Sequence, residues 1–125
     1  MIKKMSNAQI FALSNKLESV LSAENRRYMP AKISYFINKN RAKLADQMSL
    51  IEKSRIDIIQ HYGVLDPDSG SYNVSSDKLD QANKELMELL SIDQELDISM
   101  VNISDLDGLD FTLEQMEVLS FMIEE

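Results

Sequence analysis

Hydrophobic positions in the first 24 residues recur at helical spacing. They are Ile10, Leu13, Leu17, Val20 and Leu21. Ser6 or Asn7, just before them, can cap a helix that the pattern predicts to run to about Glu24. Because the residue before a proline is pushed out of the helical region, this helix should end before Pro30.

A second and longer helical pattern begins at Pro30 and meets no helix breaker until Gly63. Four residues that recur every seven positions form its apolar stripe: Ile37, Leu44, Ile51 and Ile58. A helix this long needs the first helix, another element or a second subunit against its stripe. Of these, we expect self-association into a homo-oligomer through the stripe. Asn40 interrupts the stripe, and we expect its side chain to be solvated.

The chain then changes character after Gly63. Asp-Pro-Asp-Ser-Gly is a turn sequence, and alternation at Tyr72 and Val74 adds the pattern of a short strand, so a turn or small hairpin is predicted over 64–74. Ser75, Ser76 or Asp77 can cap a third helix to about Leu90. Its apolar positions are Leu79, Leu86, Leu89 and Leu90.

The pattern of the last 30 residues predicts one short strand and a closing helix. Leu96, Ile98 and Met100 alternate, with a bulge expected where the alternation switches at Val101. SDLDGLDF is read as a loop, and Thr112 with Gln115 forms a capping box for the last helix. The side chains expected to face inward there are Leu113, Met116, Leu119, Met122 and Ile123. The fold class is therefore mainly helical α+β: a long helical hairpin, a turn or small hairpin, a third helix, one short strand and a C-terminal helix.

Charge divides this single domain of 125 residues into two parts. Residues 1–63, the helical hairpin, carry eleven Lys or Arg and five Asp or Glu, a net charge of +6. Residues 64–125 carry two and sixteen, a net charge of −14, which argues against general DNA binding. The two parts either present separate solvated faces or attract each other, within one chain or between subunits.

Composition excludes several classes of site. The chain has no cysteine, so disulfides, thiolate zinc sites and cysteine catalysis are excluded. His61 is the single histidine, and no nucleophile elbow, P-loop or dinucleotide-binding glycine motif is present. We therefore expect a protein that is not an enzyme and has no cofactor. With no membrane-length apolar run and no signal-peptide pattern, the host-cell cytoplasm is the expected location.

The segment DPDSGSYNVSSD, residues 66–77, has some features of a calcium-binding EF-hand loop. That motif needs glycine at its sixth position and a bidentate glutamate at its twelfth. Ser71 and Asp77 stand there instead, so the segment is predicted to be a turn and no metal site is expected.

A cluster of basic residues with tyrosines nearby offers charge and stacking surface for a phosphate-bearing nucleotide. The residues of this predicted site are Arg26, Arg27, Tyr28, Lys32, Tyr35, Lys39 and Arg41. Two simpler interpretations stay open: the cluster is a solvated helix face, or it is an internal partner for the acidic half. Acidic side chains of the second half form a predicted protein-binding surface: Asp93, Glu95, Asp97, Asp105, Asp107 and Asp110.

The segment MPAKISYFINKNRAKLADQMSLIEKSRIDIIQHYG resembles a family of small phage and prophage proteins of unknown function. The residues that carry the resemblance are Pro30, Lys32, Asn38, Asn40, Glu52, Arg55, Tyr62 and Gly63. The resemblance implies a phage origin and no catalytic residues. Our leading hypothesis is a non-enzymatic phage protein that binds a host or phage protein, for example to inhibit a host defence system. The alternatives are a sponge for a nucleotide signal and an acidic mimic of nucleic acid.

Overall fold

The computed structural model describes residues 1–21 and 29–125, and it confirms a mainly helical α+β fold. The helices are α1 (Asn7–Val20), α2 (Ala31–Tyr62), α3 (Ser76–Ser91) and α4 (Leu113–Leu119). The strands are β1 (Ile2–Ser6), β2 (Gly63–Leu65), β3 (Tyr72–Val74), β4 (Asp93–Asp97), β5 (Val101–Asn102) and β6 (Ile123–Glu124). Short 3-10 helices cover Ile103–Leu106 and Ser120–Met122.

Side-chain caps fix the starts of two helices where the sequence places them. The Ser6 side chain accepts a hydrogen bond from the Gln9 amide, and the Gln9 side chain accepts one from the Ser6 amide. Thr112 and Gln115 form the same reciprocal capping box at the start of α4. Each box satisfies two backbone donors that a helix start leaves unpaired, so local chemistry sets these boundaries.

Helix α2 is the axis of the molecule, about 48 Å long. Helix α1 packs along its first part, where Glu18 pairs with Arg41. Helix α3 packs along the last part of α2. The C-terminal end of α3 meets the start of α1, where the backbone N–H of Asn7 donates to the Ile92 carbonyl at 2.9 Å. Two shorter helices therefore cover successive lengths of one long helix.

Three small sheets complete the fold. β1 pairs antiparallel with β4 from Ile2 opposite Asp97 to Ser6 opposite Asp93. β2 and β3 form the predicted hairpin, and β5 pairs in parallel with β6. The expected single strand is thus two strands in different sheets. Between them lies Ser99, whose backbone N–H and carbonyl are both hydrogen-bonded to the buried Asn40 side chain.

Asn40 corrects the expectation of a solvated side chain, since it is 0% exposed. Its amide nitrogen donates to the Ser99 carbonyl at 2.9 Å, and its amide oxygen accepts from the Ser99 N–H at 2.8 Å. Because both amide groups are paired with backbone, the cost of burying them is offset. A second correction concerns Leu113, which is 78% exposed instead of facing inward.

Burial divides the molecule into two regions. The large buried hydrophobic side chains are Ile10, Leu17, Val20, Leu21, Ile33, Ile37, Leu44, Ile51, Leu96, Ile98, Val101, Leu106, Leu119 and Met122. Within residues 52–91, all of which the structure describes, Ala82 is the one buried hydrophobic side chain. We call residues 52–91 the arm and the rest of the described chain the body. The core lies in the body.

Candidate functional site

Two of the basic residues predicted to bind a nucleotide, Lys32 and Arg41, are paired with acidic groups of the same chain. Arg41 forms a bidentate ion pair with Glu18: two guanidinium nitrogens donate to the two carboxylate oxygens at 2.8 and 2.9 Å. This hydrogen bond lowers the pKa of Glu18 and raises the pKa of Arg41. The Lys32 ammonium lies 3.4 Å from a carboxylate oxygen of Asp105. The Lys32 contact favours the interpretation of the cluster as an internal partner for the acidic half, whereas Glu18, the partner of Arg41, belongs to the basic half itself.

Positively charged groups also lie close to Asp97, at the end of β4. The amino group of Met1 donates to its carboxylate at 3.1 Å, and Lys43 donates to its backbone carbonyl. The pKa of Asp97 is lowered, first by the hydrogen bond and charge of the amino group, then by the charges of Lys43 and Lys39. Lys39 thus also faces an acidic group of the other half.

The aromatic part of the predicted nucleotide site is not assembled among the described residues. Tyr35 is 62% exposed, and its ring is 6.1 Å from that of its neighbour Phe36. Arg26, Arg27 and Tyr28 lie outside the described residues. The described chain therefore brings no basic and aromatic pocket together from the residues that the sequence suggested.

The six acidic residues predicted to bind protein fall into two groups. Asp93 pairs with Lys4 at 3.4 Å, and Asp97 and Asp105 are paired as described above. Glu95 and Asp107 are exposed and form no ion pair with the described chain. Asp110 is exposed but interacts with another group of the protein. Internal pairing therefore uses a large part of this predicted surface.

The stripe predicted to drive self-association lies mostly in the core of the same chain. Ile37, Leu44 and Ile51 are 3%, 0% and 5% exposed. These side chains have no surface to offer a second subunit, because the body covers them. Ile58, one heptad further along in the arm, is only half-buried. Ile58 is therefore the one position of the stripe that is left partly open within the chain, and the homo-oligomer stays a prediction.

The acidic turn at Asp66 forms the end of the β2–β3 hairpin, as predicted. The Asp66 carboxylate accepts from the Asp68 amide at 3.0 Å and from the Ser69 hydroxyl at 3.1 Å, and these bonds lower its pKa. Gly70 has a φ of +71°, the left-handed region that favours glycine. No group of three or more His, Asp or Glu side chains in the described part of the chain is arranged to hold a metal ion.

Two buried polar side chains besides Asn40 link distant elements, and neither was singled out for burial from the sequence. The Asn7 amide nitrogen donates to the Leu89 carbonyl at 2.8 Å, joining α1 to α3. The Gln115 amide nitrogen donates to the Val20 carbonyl at 3.3 Å, joining α4 to α1. Their spacing in the sequence contains no signal for these contacts, which span 82 and 95 residues.

Helix α3 carries an open apolar face in the arm. Leu79, Leu86, Met87 and Leu90 follow one another at helical spacing, and we call them the α3 stripe. Leu79 is 44% exposed, Met87 72% and Leu90 37%, while Leu86 is half-buried. Helix α2 instead faces the Ala82 side of α3. The wide apolar face of α3 is therefore only partly covered by the chain's own elements.

A groove of about 460 Å³ lies between α1 and α4 in the body. Leu13, Val20 and Phe121 are among its apolar lining residues. One wall carries Lys16, and the other carries Glu114 and Glu117. This groove has walls of opposite charge, unlike the α3 stripe.

Comparison with known family models, curated proteins and solved structures finds no match for this chain. The resemblance to phage proteins therefore stays a prediction. No helix among the described residues is long and apolar enough to cross a membrane.

Proposed function

We propose that this chain is a non-enzymatic interaction protein of a phage, and that it binds another protein of the phage or its host through the arm. The observation that carries the proposal is the burial of one hydrophobic side chain, Ala82, in the 40 residues of the arm. Helices that cannot bury their apolar faces are marginally stable alone. A partner that covers them gains the free energy of apolar burial that the body cannot supply.

Most of the acidic side chains of the arm form no ion pair with the described chain. The arm's one ion pair within the described chain, Arg55 with Glu52, is local to α2. The arm carries four Lys or Arg and eight Asp or Glu, a net charge of −4. An apolar surface bordered by unpaired charge is typical of a protein-binding site, because the charges orient and select the partner.

The nucleotide sponge and the nucleic-acid mimic each lose support to internal pairing. Lys32 and Arg41 would have to release Asp105 and Glu18 before they could hold a phosphate. Asp93, Asp97 and Asp105 would likewise have to leave their partners to imitate a phosphate backbone. Protein binding through the arm requires no such rearrangement.

The test is capture of a partner from phage-infected host cells, followed by titration with the two purified proteins. We expect wild-type protein to bind the captured partner and Met87→Glu to weaken binding at least about tenfold, because a buried charge disrupts an apolar contact. Leu113→Glu, at an equally exposed apolar position of the body, is the matched control and should change affinity less than about twofold.

A partner that binds both variants as tightly as wild type would contradict binding through the arm. If no captured protein binds in the purified titration, the interaction function itself is wrong. Inhibition of a host defence system is one form of the proposed function. It predicts that expression of the wild-type chain, but not of Met87→Glu, raises the plating efficiency of a restricted phage.

A further inference from the structure

We propose that the partner segment is a basic amphipathic helix, and that it docks along the α3 stripe. This inference rests on the proposed protein-binding function of the arm and adds the chemistry of what it binds. It commits to a helix with one apolar face and with Lys or Arg beside that face.

The shape of the surface favours a helix as the occupant. Leu79, Leu86, Met87 and Leu90 stand at i, i+7, i+8 and i+11, so they form one continuous strip along α3. The strip spans about 16 Å at 1.5 Å per residue, or three helical turns. A helix of three to four turns matches that length and can insert its own apolar residues between those of α3. Met87, with its flexible side chain, can adapt to the partner's shape.

The charge beside the strip favours a basic occupant. Asp80 and Met87 are seven residues apart and so lie on the same flank of α3, and the exposed Glu88 is the residue after Met87. Neither Asp80 nor Glu88 forms an ion pair with any described residue. Lys84 lies one turn from each of them on the same helix but forms no ion pair with either, so the flank keeps a net negative charge that lysine or arginine of a docked helix would meet.

The same charge disfavours a second copy of this chain as the occupant. Two arms packed through their α3 stripes would bring two surfaces of net charge −4 together. Like charges placed opposite one another destabilise an interface. The α1–α4 groove has Lys16 on one wall and Glu114 and Glu117 on the other, so charge alone does not separate it from α3, and the mapping experiment below does.

The first experiment maps binding on the intact chain with defined probe peptides. A leucine–lysine amphipathic peptide of about 18 residues is titrated into 15N-labelled protein, and a leucine–glutamate peptide of the same pattern is the comparison. We expect saturable amide shifts concentrated over residues 79–90 with the lysine peptide and at least about tenfold weaker binding of the glutamate peptide. Equal affinity for both peptides, or shifts centred on the α1–α4 groove, would overturn the proposal.

Variants test which residues of the strip are responsible. Met87→Glu should weaken binding of the lysine peptide at least about tenfold, and Asp80→Lys by about threefold to tenfold. The matched controls are Leu113→Glu for the exposed apolar residue and Glu124→Lys for the charge reversal, and both should stay within about twofold of wild type. Circular dichroism and the positions of body amides confirm that each variant is folded. If the control variants lose as much affinity for the lysine peptide as Met87→Glu and Asp80→Lys do, docking on α3 is contradicted.

Light scattering tests whether a second copy of this chain occupies the α3 stripe. A dimer of the free protein that Met87→Glu converts to monomer would show that a second copy covers α3 and would overturn the proposal. The outcomes also separate the two proposals. If Met87→Glu abolishes binding of a natural partner but the protein binds the lysine and glutamate peptides equally, protein binding through the arm stands and the basic helix is refuted. If no natural partner exists, the function fails whatever the peptides do.

Discussion

The body and the arm share one continuous helix, yet α2 is buried in the first and largely open in the second. In the body, α2 meets α1 on one side and the acidic β4–β5 region on another, so Ile37 and Leu44 are surrounded. In the arm, α2 packs mainly against α3 and the β2–β3 hairpin, so Ile58 is half-buried and Ile56 is 41% exposed. An unchanged hydrophobic repeat therefore has two outcomes, decided by how many elements surround it.

The polar contacts differ in the same way. In the body they join residues far apart in sequence, such as Asn40 with Ser99 and Arg41 with Glu18. In the arm, most join near neighbours, such as Arg55 with Glu52 or Asp68 with Asp66. Tyr62 is an exception, since a hydrogen bond to Glu85 of α3 raises its pKa. The body therefore holds the fold together, whereas the arm depends on local structure and leaves its apolar surface for a partner.

The sharpest test of this contrast substitutes the same residue type on both sides of the boundary. Ile51→Ala should lower the free energy of unfolding by about 3 kcal/mol, because it leaves a cavity in the core. Ile58→Ala, one heptad further along, should cost only about 1 kcal/mol, since its side chain is half-buried. Urea unfolding followed by circular dichroism measures both. Equal losses would mean that the arm is as well packed as the body.

Asn40 tests whether the body's polar contact is as important as its apolar ones. Asn40→Ala removes both partners of the Ser99 backbone groups and should destabilise the protein by about 2 kcal/mol. Gln47→Ala is the control, because Gln47 also interrupts the α2 stripe but is less buried; its cost should stay within about 0.5 kcal/mol. Comparable unfolding midpoints for the two variants would show that the Asn40 contact is unimportant.

The hairpin tests whether the arm opens independently. A methyl group at Gly63 would lie 2.6 Å from the Ile59 carbonyl oxygen, so Gly63→Ala must shift the junction of α2 and β2. Gly70→Ala meets no atom within 4 Å and is strained only by its positive φ, at a cost of about 1 kcal/mol. Hydrogen exchange should show lower protection of arm amides in both variants, more so in Gly63→Ala. Loss of protection throughout the body as well would argue that the two regions unfold together.

The smallest expected effect is the contribution of the Glu18–Arg41 ion pair, between α1 and α2, to stability at acidic pH. The pKa of Glu18 is lower in the folded chain than in the unfolded one, first because of its hydrogen bond to Arg41. Its contribution is therefore present above pH of about 4.3, the ordinary glutamate value, and is lost as the pH falls through the folded pKa. We expect at most about 1 kcal/mol, since the pair is partly exposed. Unfolding curves of Arg41→Ala should lack this part of the acid dependence. An unchanged pH profile would contradict it.

Local sequence chemistry predicted the elements well where neighbouring residues decide them. Thr112 with Gln115 capped α4, Pro30 preceded α2, and the Asp66 turn made the hairpin. Pairings between distant segments were not predictable in this way. β1 was missed because its partner β4 lies some 90 residues away, and a two-stranded sheet leaves little pattern in either strand.

The candidate site shows the same limit. The sequence identified Leu79, Leu86 and Leu90 as apolar positions of α3 but not that they stay open, because periodicity indicates a face and not what covers it. It likewise suggested Lys32 and Arg41 as ligand-binding residues, because a charge pattern does not show the partner of each charge. Their acidic partners are 73 and 23 residues away.

The sequence by itself determined the helices, their caps, the hairpin and the division of charge, since these follow from residues within a few positions of one another. Tertiary structure alone decided which part of the α2 stripe became core, which charges were paired and which face of α3 stayed open. The physical reason is that burial depends on how many elements meet around a side chain. That number is set by contacts between distant segments, such as β1 with β4 and Asn40 with Ser99.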